Sequence, residues 1–264
     1  MAAVELSIAE PGIGIISLNR PESLNAINRQ WIEDFHAALD RMAADSSLRV
    51  VVLRGMGKGF CAGFDLKSGD EEGGDGGNRV IDSLNLQERL ATIPERMIRS
   101  RQPIIAAIHG AAAGGGLAIA LASDIRVAGR SSHFHVANAR IGLSAGECGI
   151  SWLFPRLVGL SRCFELLLTG RRFDAAEADR IGLLSRLVED DQVLEAALEI
   201  ARSIAGNSSF GVRMSKDVVY ASLSAPDLRT ASAIENRTQL LCGFSGDPEE
   251  AFNAFREKRK PRFA

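Results

Sequence analysis

Two short runs of β-branched and aliphatic residues, each followed by a glycine-rich segment, constrain the fold most strongly. Val50–Leu53 precedes the segment Gly59–Leu66, and Ile104–Ile108 precedes the segment Gly110–Leu117. Uncharged apolar runs of this length are typical of strands that are buried on both faces, as in a parallel sheet. Strand-like and helix-like segments alternate until His135. We therefore predict an α/β fold with crossover connections.

The periodicity of apolar residues predicts a β/α core and a helical carboxy-terminal region. Pro94, inside one predicted helix, predicts a kink or a break, and the glycine- and acid-rich stretch Ser68–Arg79 predicts a mobile surface loop. Besides the two buried runs, the predicted strands are Val4–Ile8, Ile13–Asn19, Ile125–Ala128 and His133–Val136, with a hairpin at Pro11-Gly12. The predicted helices are Asn28–Ala44, Ile81–Arg99, Gly116–Ser123, Ile150–Leu157, Arg162–Thr169, Ala175–Ile181, Val193–Ala205, Ser208–Ala221, Pro226–Leu240 and Pro248–Arg259.

Charge and cysteine usage exclude several classes of protein. A net charge of −2 and a pI of about 6.1 argue against nucleic acid as the main partner. Four scattered cysteines without a C-x-x-C motif favour a reduced, cytoplasmic protein. The sequence starts without a basic segment followed by an apolar one, and no apolar run is long enough for a membrane span. We therefore expect neither a secretory signal nor a membrane segment.

The segment Gly142-Leu-Ser144-Ala-Gly146 matches the G-x-S-x-G nucleophile motif of α/β-hydrolases. In that fold the catalytic histidine follows the serine along the chain. Here every histidine precedes Ser144: His36, His109, His133 and His135. A serine hydrolase is therefore the least favoured alternative.

Neither a metal site nor a nucleotide-phosphate loop is predicted. His133 and His135 lie on one face of a predicted strand, but metal sites need three or four ligands and no third one is evident. Gly55, Gly57 and Gly59 follow a strand without forming a G-x-G-x-x-G or P-loop pattern. We expect no metal and no nucleotide cofactor.

The glycine segments themselves suggest a chemical role. Three consecutive glycines, Gly114–Gly116, stand where a strand passes into a helix and would expose backbone N–H groups to a ligand. One N–H donor from each segment could converge on a developing oxyanion. Alternatively, these glycines serve only tight turns and close helix packing. Each segment alone leaves both interpretations open.

Taken together, motifs along nearly the whole chain resemble the enoyl-CoA hydratase/isomerase (crotonase) superfamily. The resemblance implies a ββα-repeat core in residues 1–200 that binds an acyl-CoA thioester, and a helical region in residues 201–264 that covers the CoA and forms trimers or dimers of trimers. It implies no cofactor other than the CoA of the substrate. The matching motifs are Leu18–Ala26, Phe60–Leu66, Arg101–Gly110, Gly114–Gly116, Ser123–Arg126, Pro155–Gly159, Leu168–Gly170 and Phe255–Lys260.

The resemblance also implies roles for particular residues. The thioester carbonyl would lie between the N–H groups of Phe64 and Gly115, which would stabilise an enolate. The segment from Ala62 to Leu66 would line the adenine and pantetheine site, and Lys258 on the last helix would meet the CoA phosphates. Within that segment, we expect Asp65 to fix the loop by accepting backbone N–H bonds.

The sequence departs from the family at the acid/base positions. Related hydratases carry glutamates where this chain has Ala118 and Asn138, and neither residue is a practical general base. Glu147, nine residues after Asn138, lies close to the place where isomerase-like members carry an acid. We therefore expect a fatty-acid enzyme in which Glu147 transfers the proton, by isomerisation or hydration of an enoyl-CoA. The alternatives are an exposed loop glutamate and a non-catalytic acyl-CoA-binding scaffold.

Overall fold

Two sheets and a set of helices make up the computed structural model, which describes residues 2–65 and 79–263. The strands are β1 (Val4–Glu10), β2 (Ile13–Leu18), β3 (Val50–Gly55), β4 (Ile104–Ile108), β5 (Ala111–Ala113), β6 (Ile125–Gly129), β7 (His133–His135), β8 (Phe173–Asp174) and β9 (Arg186–Val188). The helices are α1 (Arg29–Ala44), α2 (Arg79–Arg99), α3 (Gly115–Ala122), α4 (Ile150–Val158), α5 (Leu160–Thr169), α6 (Ala175–Arg180), α7 (Val193–Ala205), α8 (Ser209–Ser222), α9 (Leu228–Gly243) and α10 (Asp247–Arg256). The α/β prediction is confirmed.

The larger sheet has the strand order β1-β2-β3-β4-β6-β9. β1 and β2 form the predicted antiparallel hairpin, and every later strand is parallel to its neighbour. Helices cover both faces: Val51 and Leu53 pack in the core with α1, α2 and α3, whereas Val50 and Val52 pack with α7. This double burial is the reason that the first four residues of β3, Val50–Leu53, are all apolar.

The smaller sheet, β5-β7-β8, was only partly predicted. β7 was predicted, but β5 and β8 were not, and β9 of the larger sheet was also missed. From Ile150 onward the sequence predicts an almost wholly helical chain, and this prediction misses β8 and β9. Strands of two or three residues carry too little periodicity to be recognised, and their pairing partners lie far away in sequence.

Helix α2 is continuous through Pro94, so the expected break does not occur. Leu90, Ile93 and Met97 are buried on the core side of this helix. Their packing offsets the hydrogen bond that proline cannot donate. The predicted mobile stretch Ser68–Arg79 lies outside the described residues except for Arg79, where α2 begins.

Helix α8 is anchored to the β/α core through a buried lysine. Lys216 Nζ donates hydrogen bonds to the backbone oxygens of Met97 and Gln102, at 3.0 and 3.1 Å, and to Asp124 Oδ2 at 2.9 Å. Burial lowers the pKa of Lys216, although the Asp124 carboxylate opposes that shift. The assignment of residues 201–264 to a separate region stays a prediction.

No helix within residues 2–65 and 79–263 is long and apolar enough to cross a membrane. The same part of the chain contains no group of three or more His, Cys, Asp or Glu side chains that could hold a metal ion. All four cysteines are free, and Cys61, Cys148 and Cys163 are buried.

Candidate active site

The two glycine-rich segments lie side by side. Cys61 N–H donates to Ala111 O and Ala113 N–H donates to Cys61 O, each at 2.9 Å, which forms a parallel bridge between Cys61 and Ala112. The segment after β3 therefore pairs with β5, which lies between β4 and α3. This pairing brings Gly63 next to Gly114, so that a Cβ on Gly63 would lie 3.6 Å from the Gly114 Cα. Phe64 and Gly115 are the residues that follow these two glycines along the chain.

Glycine is required at this junction by close packing. A Cβ on Gly116 would lie 2.3 Å from Cys61 O, and a Cβ on Gly63, whose φ is +90°, would lie 2.8 Å from Ala113 O. Both distances are shorter than non-bonded atoms allow. The interpretation of the glycines as packing residues is thus correct, and the same packing is what brings the two segments together.

The N–H group of Phe64 is left without an acceptor among the described residues. Ile27 N–H donates to Gly63 O at 2.8 Å and Asp65 N–H donates to Ile27 O at 2.9 Å. In such a parallel bridge the central residue, Phe64, turns its own N–H and C=O away from Ile27. The Phe64 side chain is 42% exposed, although it is large and apolar. Its amide is therefore available to a ligand.

The N–H group of Gly115 is the first donor of α3. Gly114 N–H donates to His135 O and Ala118 N–H donates to Gly114 O, both at 3.0 Å. Between them, the N–H groups of Gly115, Gly116 and Leu117 meet no acceptor in the part of the chain that the structure describes. Unpaired amides at a helix amino terminus, together with the helix dipole, favour a negative charge there.

Asn138 and Glu147 are in direct contact. Asn138 begins a 3-10 turn, Asn138–Ile141, three residues after His135. Its Nδ2 donates to Glu147 Oε1 at 2.8 Å and to Ser144 O at 3.1 Å. Both side chains are half-buried. Glu147 is therefore bonded to the residue that stands at the second hydratase glutamate position, and it is not a freely exposed loop residue.

A tight turn holds Glu147 just before α4. Cys148 has a φ of +47°, which is strained for a residue with a side chain, and Gly149 follows at +82°. Ile150 N–H closes the turn by donating to Glu147 O at 2.8 Å. Burial, and then the charge of Glu147, raise the pKa of the Cys148 thiol to about 12, although a contact with Gln87 opposes the shift. Cys148 is thus a neutral thiol next to the Glu147 carboxylate.

The other predicted site residues differ in their surroundings. Asp65 Oδ2 accepts a hydrogen bond at 3.0 Å from Arg20 Nη2. The expectation that Asp65 also accepts backbone N–H bonds stays a prediction. Ala62 N–H donates to Leu24 O at 3.0 Å. Ala118 is fully buried in α3. Leu66 lies outside the described residues.

Lys258 is not on the last helix, which is a correction to the prediction. Helix α10 ends at Arg256, and Lys258 follows with a φ of +56° in an exposed position. The neighbouring Arg259 pairs with Glu250 and Glu257, which fold the chain back onto α10. The helix ends because Lys258 takes the left-handed conformation and Arg259 N–H donates to Ala254 O at 3.0 Å, as in a Schellman motif.

Two residues that position the Phe64 segment were missed. Asn25 is fully buried and its Nδ2 donates to Gly59 O at 2.8 Å and to Met56 O at 2.9 Å. Arg20 bonds Asp65 and also Ala26 O. Both residues lie in the motif Leu18–Ala26, so their presence in a recognised motif was the available signal.

Comparisons with known proteins agree on one family. The enoyl-CoA hydratase/isomerase family model matches residues 9–264. A probable enoyl-CoA hydratase of Mycobacterium tuberculosis is 42% identical over 255 residues, covering 96% of this chain and 90% of the relative. The 1,2-epoxyphenylacetyl-CoA isomerase of Escherichia coli is 33% identical over 258 residues, covering 98% of this chain and 97% of the relative.

Solved structures give the same result. A probable enoyl-CoA hydratase/isomerase from Mycobacterium abscessus has a TM-score of 0.91 at 39% identity and covers 99% of this chain and 98% of its own. A monofunctional enoyl-CoA isomerase from Mycobacterium smegmatis has a TM-score of 0.74 at 38% identity, with 88% and 99% covered.

The fold and the comparisons define a crotonase-type enzyme. The chain belongs to the enoyl-CoA hydratase/isomerase family and is an acyl-CoA thioester enzyme of that family. The expected family, fold class and enzyme class are confirmed.

Proposed function

We propose that this enzyme moves a double bond within an enoyl-CoA, and that Glu147 is its single acid/base. The observation that carries the proposal is the 2.8 Å hydrogen bond between Asn138 Nδ2 and Glu147 Oε1. Asn138 and Ala118 stand where related hydratases carry their two glutamates. This hydrogen bond joins Asn138 to a carboxylate on another residue, Glu147. One carboxylate can remove a proton and return it, which is the whole requirement of an isomerisation.

The first part of the proposed mechanism is electrostatic. The thioester oxygen accepts hydrogen bonds from the N–H groups of Phe64 and Gly115, and the amino terminus of α3 adds a favourable field. These donors are fixed by backbone packing, so they need no rearrangement as charge develops. They stabilise the enolate more than the neutral thioester, and this difference lowers the barrier.

The second part is a proton transfer that balances internally. In a 3-enoyl thioester, the Glu147 carboxylate removes a proton from the carbon next to the carbonyl, and the electron pair spreads over a dienolate. The protonated Glu147 then returns the proton to the far carbon of the former double bond. The double bond moves into conjugation with the carbonyl, the carboxylate is regenerated, and nothing is oxidised or reduced. The proposed reaction needs no cofactor besides the CoA of the substrate.

Support for placing Glu147 near the oxyanion donors comes from the backbone. Gly114 N–H, immediately before Gly115, is bonded to His135 O at 3.0 Å, and Asn138 follows three residues later. A short covalent and hydrogen-bonded path thus leads from the Gly115 donor to the Glu147 carboxylate. This path supports the proposal that both groups act on one substrate.

Substitution of Glu147 by Gln tests the proposal, because it keeps the shape and removes the base. We expect turnover of 3-hexenoyl-CoA to 2-hexenoyl-CoA to fall by roughly 10²–10⁴-fold. Binding of a non-reactive acyl-CoA, measured by isothermal titration calorimetry, should stay unchanged. Unchanged turnover in the variant would contradict the role of Glu147. Binding by the wild-type chain without turnover of any enoyl-CoA in a panel would instead favour the non-catalytic scaffold.

We also propose that residues 201–264 cover the CoA and join three or six copies of the chain, and that Ala62, Asp65, Leu66 and Lys258 contact the CoA. Large apolar side chains of α9, α10 and the turn between them are exposed, which supports a buried role in an assembly: Leu228, Leu240, Leu241, Phe244, Phe252 and Phe255. Sedimentation velocity should give a multiple of 28.3 kDa, three or six chains. A monomer at micromolar concentration would contradict this. The four free cysteines support a reducing, cytoplasmic location.

A further inference from the structure

The side-chain amide of Asn138 donates hydrogen bonds to two groups of the Glu147 loop. Its Nδ2 carries two hydrogens, and the two acceptors, Glu147 Oε1 and Ser144 O, lie at 2.8 and 3.1 Å. One donor group therefore bonds the carboxylate and the backbone of the loop that carries it. The carboxylate cannot rotate freely relative to its own loop.

The two oxygens of Glu147 are not equivalent. Oε1 accepts from Asn138, whereas Oε2 accepts a hydrogen bond from no side chain or backbone group in residues 2–65 and 79–263. A base needs one oxygen free to receive the substrate proton, and a fixed second oxygen determines where the free one points.

We propose that Asn138 is a positioning residue, which holds Glu147 Oε1 so that Oε2 faces the carbon from which the proton is taken. This inference rests on the proposed function, since it needs Glu147 to be the acid/base. It goes beyond that function by giving Asn138 a role of its own. The residue at a lost hydratase glutamate position is then a necessary hydrogen-bond donor.

The chemistry of the pair explains why an amide stands here. A carboxylate at position 138 would meet the Glu147 carboxylate at hydrogen-bond distance, and two negative charges that close cannot both stay ionised. A neutral donor of similar size forms a charge-assisted hydrogen bond instead. Asn138 and Glu147 therefore work as a matched pair.

Asn138 is also well placed to fix the position of the Glu147 carboxylate relative to the proposed oxyanion donors. It lies three residues after His135, whose carbonyl bonds Gly114 directly before the Gly115 donor. A displacement of a reacting group by about 1 Å can cost on the order of 10²-fold in rate. The Asn138 hydrogen bond thus transmits the position of the Gly115 segment to Glu147.

The test compares three single variants in the full-length enzyme with 3-hexenoyl-CoA as substrate. N138A removes the amide, N138D keeps its shape but replaces the donor with a charge, and R140A is the matched control. Arg140 lies in the same 3-10 turn, and its Nε donates to Thr169 O at 3.0 Å without touching Glu147. We expect kcat to fall by roughly 10–100-fold in N138A and at least as far in N138D, with KM nearly unchanged. R140A should keep the wild-type kcat.

A merely structural role for Asn138 would give a different pattern. Wild-type kcat in N138D, a rise in KM without a fall in kcat, or an equal loss in R140A would each overturn the inference. A further test compares turnover by E147Q with turnover by the double variant E147Q/N138A. Because both are slow, it uses high enzyme concentration and long incubations. N138A should cause no additional loss in the E147Q background, and a full additional loss would mean that Asn138 acts independently of Glu147.

Failure of the proposed function is distinguishable from failure of this inference. If E147Q turns over substrate like the wild type, Glu147 is not the acid/base and both statements fall together. If E147Q loses activity while N138A and N138D retain it, only the role of Asn138 is wrong.

Discussion

The proposed oxyanion donors, which are the N–H groups of Phe64 and Gly115, and the proposed acid/base Glu147 are held in place by different kinds of interaction. Phe64 and Gly115 contribute backbone amides, and their positions depend on strand pairing and on glycines that admit close contact. Glu147 contributes a side chain on a turn. Its position depends on one hydrogen bond from the Asn138 side-chain amide and on the strained backbone of Cys148. The first arrangement is part of the fold, whereas the second is added to it.

This difference explains how one fold can serve several reactions. Backbone donors act on any thioester, whatever the side chains around them, and they cannot be lost by a substitution that keeps the packing. An acid on a turn can be moved, replaced or omitted without disturbing the sheets. The proposed acid/base Glu147, on the turn before α4, would be such an acid in this chain.

The largest effect is expected from a methyl group on Gly116, the residue after the proposed oxyanion donor Gly115. In G116A the new Cβ would lie 2.3 Å from Cys61 O and 2.7 Å from the Cys61 Cβ, so α3 and the Cys61 segment must separate. We expect the free energy of unfolding, from urea titration, to fall by roughly 3 kcal/mol or more. Acyl-CoA turnover and binding should fall together, in contrast to E147Q.

G243A is the matched control for G116A. Gly243 ends helix α9, is exposed, and has no atom within 4 Å of an added Cβ. Alanine there should raise the free energy of unfolding by up to about 1 kcal/mol, and it serves as a control for stability alone. If G116A were as stable as G243A, the packing of α3 would not depend on its close contact with the Cys61 segment.

The same difference governs what could be predicted from the sequence. The buried strand Ile104–Ile108 and the helix Val193–Ala205 were predicted with the bounds that the structure gives. Local apolar periodicity was sufficient there, because both elements bury residues along their whole length. The glycine segments were also recognisable, since close backbone contact demands glycine at fixed places.

Features that depend on distant partners were not predictable. β9 exists because three residues, Arg186–Val188, pair with β6, and nothing within those three residues signals a strand. Asn138 was interpreted only as a lost acid, because its bond to Glu147 spans nine residues and a turn. Side-chain partners across loops require the folded chain to be known.

The smallest expected effect concerns two buried thiols, one in each region. Burial raises the pKa of Cys61 to about 12, and burial together with the charge of Glu147 raises that of Cys148 to about 12, from an ordinary 9.0. Between about pH 9 and pH 12, each of these thiols loses its proton in the unfolded chain and keeps it in the folded chain. Stability is therefore fully present below about pH 9, and each thiol lowers the free energy of unfolding by about 1.4 kcal/mol per pH unit above it.

Urea titrations between about pH 8 and 11 check this slope in the parent chain and in C61A and C148A. Each substitution should remove the part of the fall in the free energy of unfolding at alkaline pH that its own thiol causes. This part is obtained by subtracting the pH dependence of the variant from that of the parent chain. E147Q then separates the two regions, because removing the Glu147 charge lowers the pKa of Cys148 and leaves Cys61 unaffected. In the E147Q background, C148A should therefore remove a smaller part of the fall in the free energy of unfolding than it does in the parent chain. The difference should not exceed about 1 kcal/mol, because burial is the larger cause of the Cys148 shift. An equal change at Cys61 would mean that Glu147 acts electrostatically on the oxyanion donors as well, and that the two regions are coupled by charge.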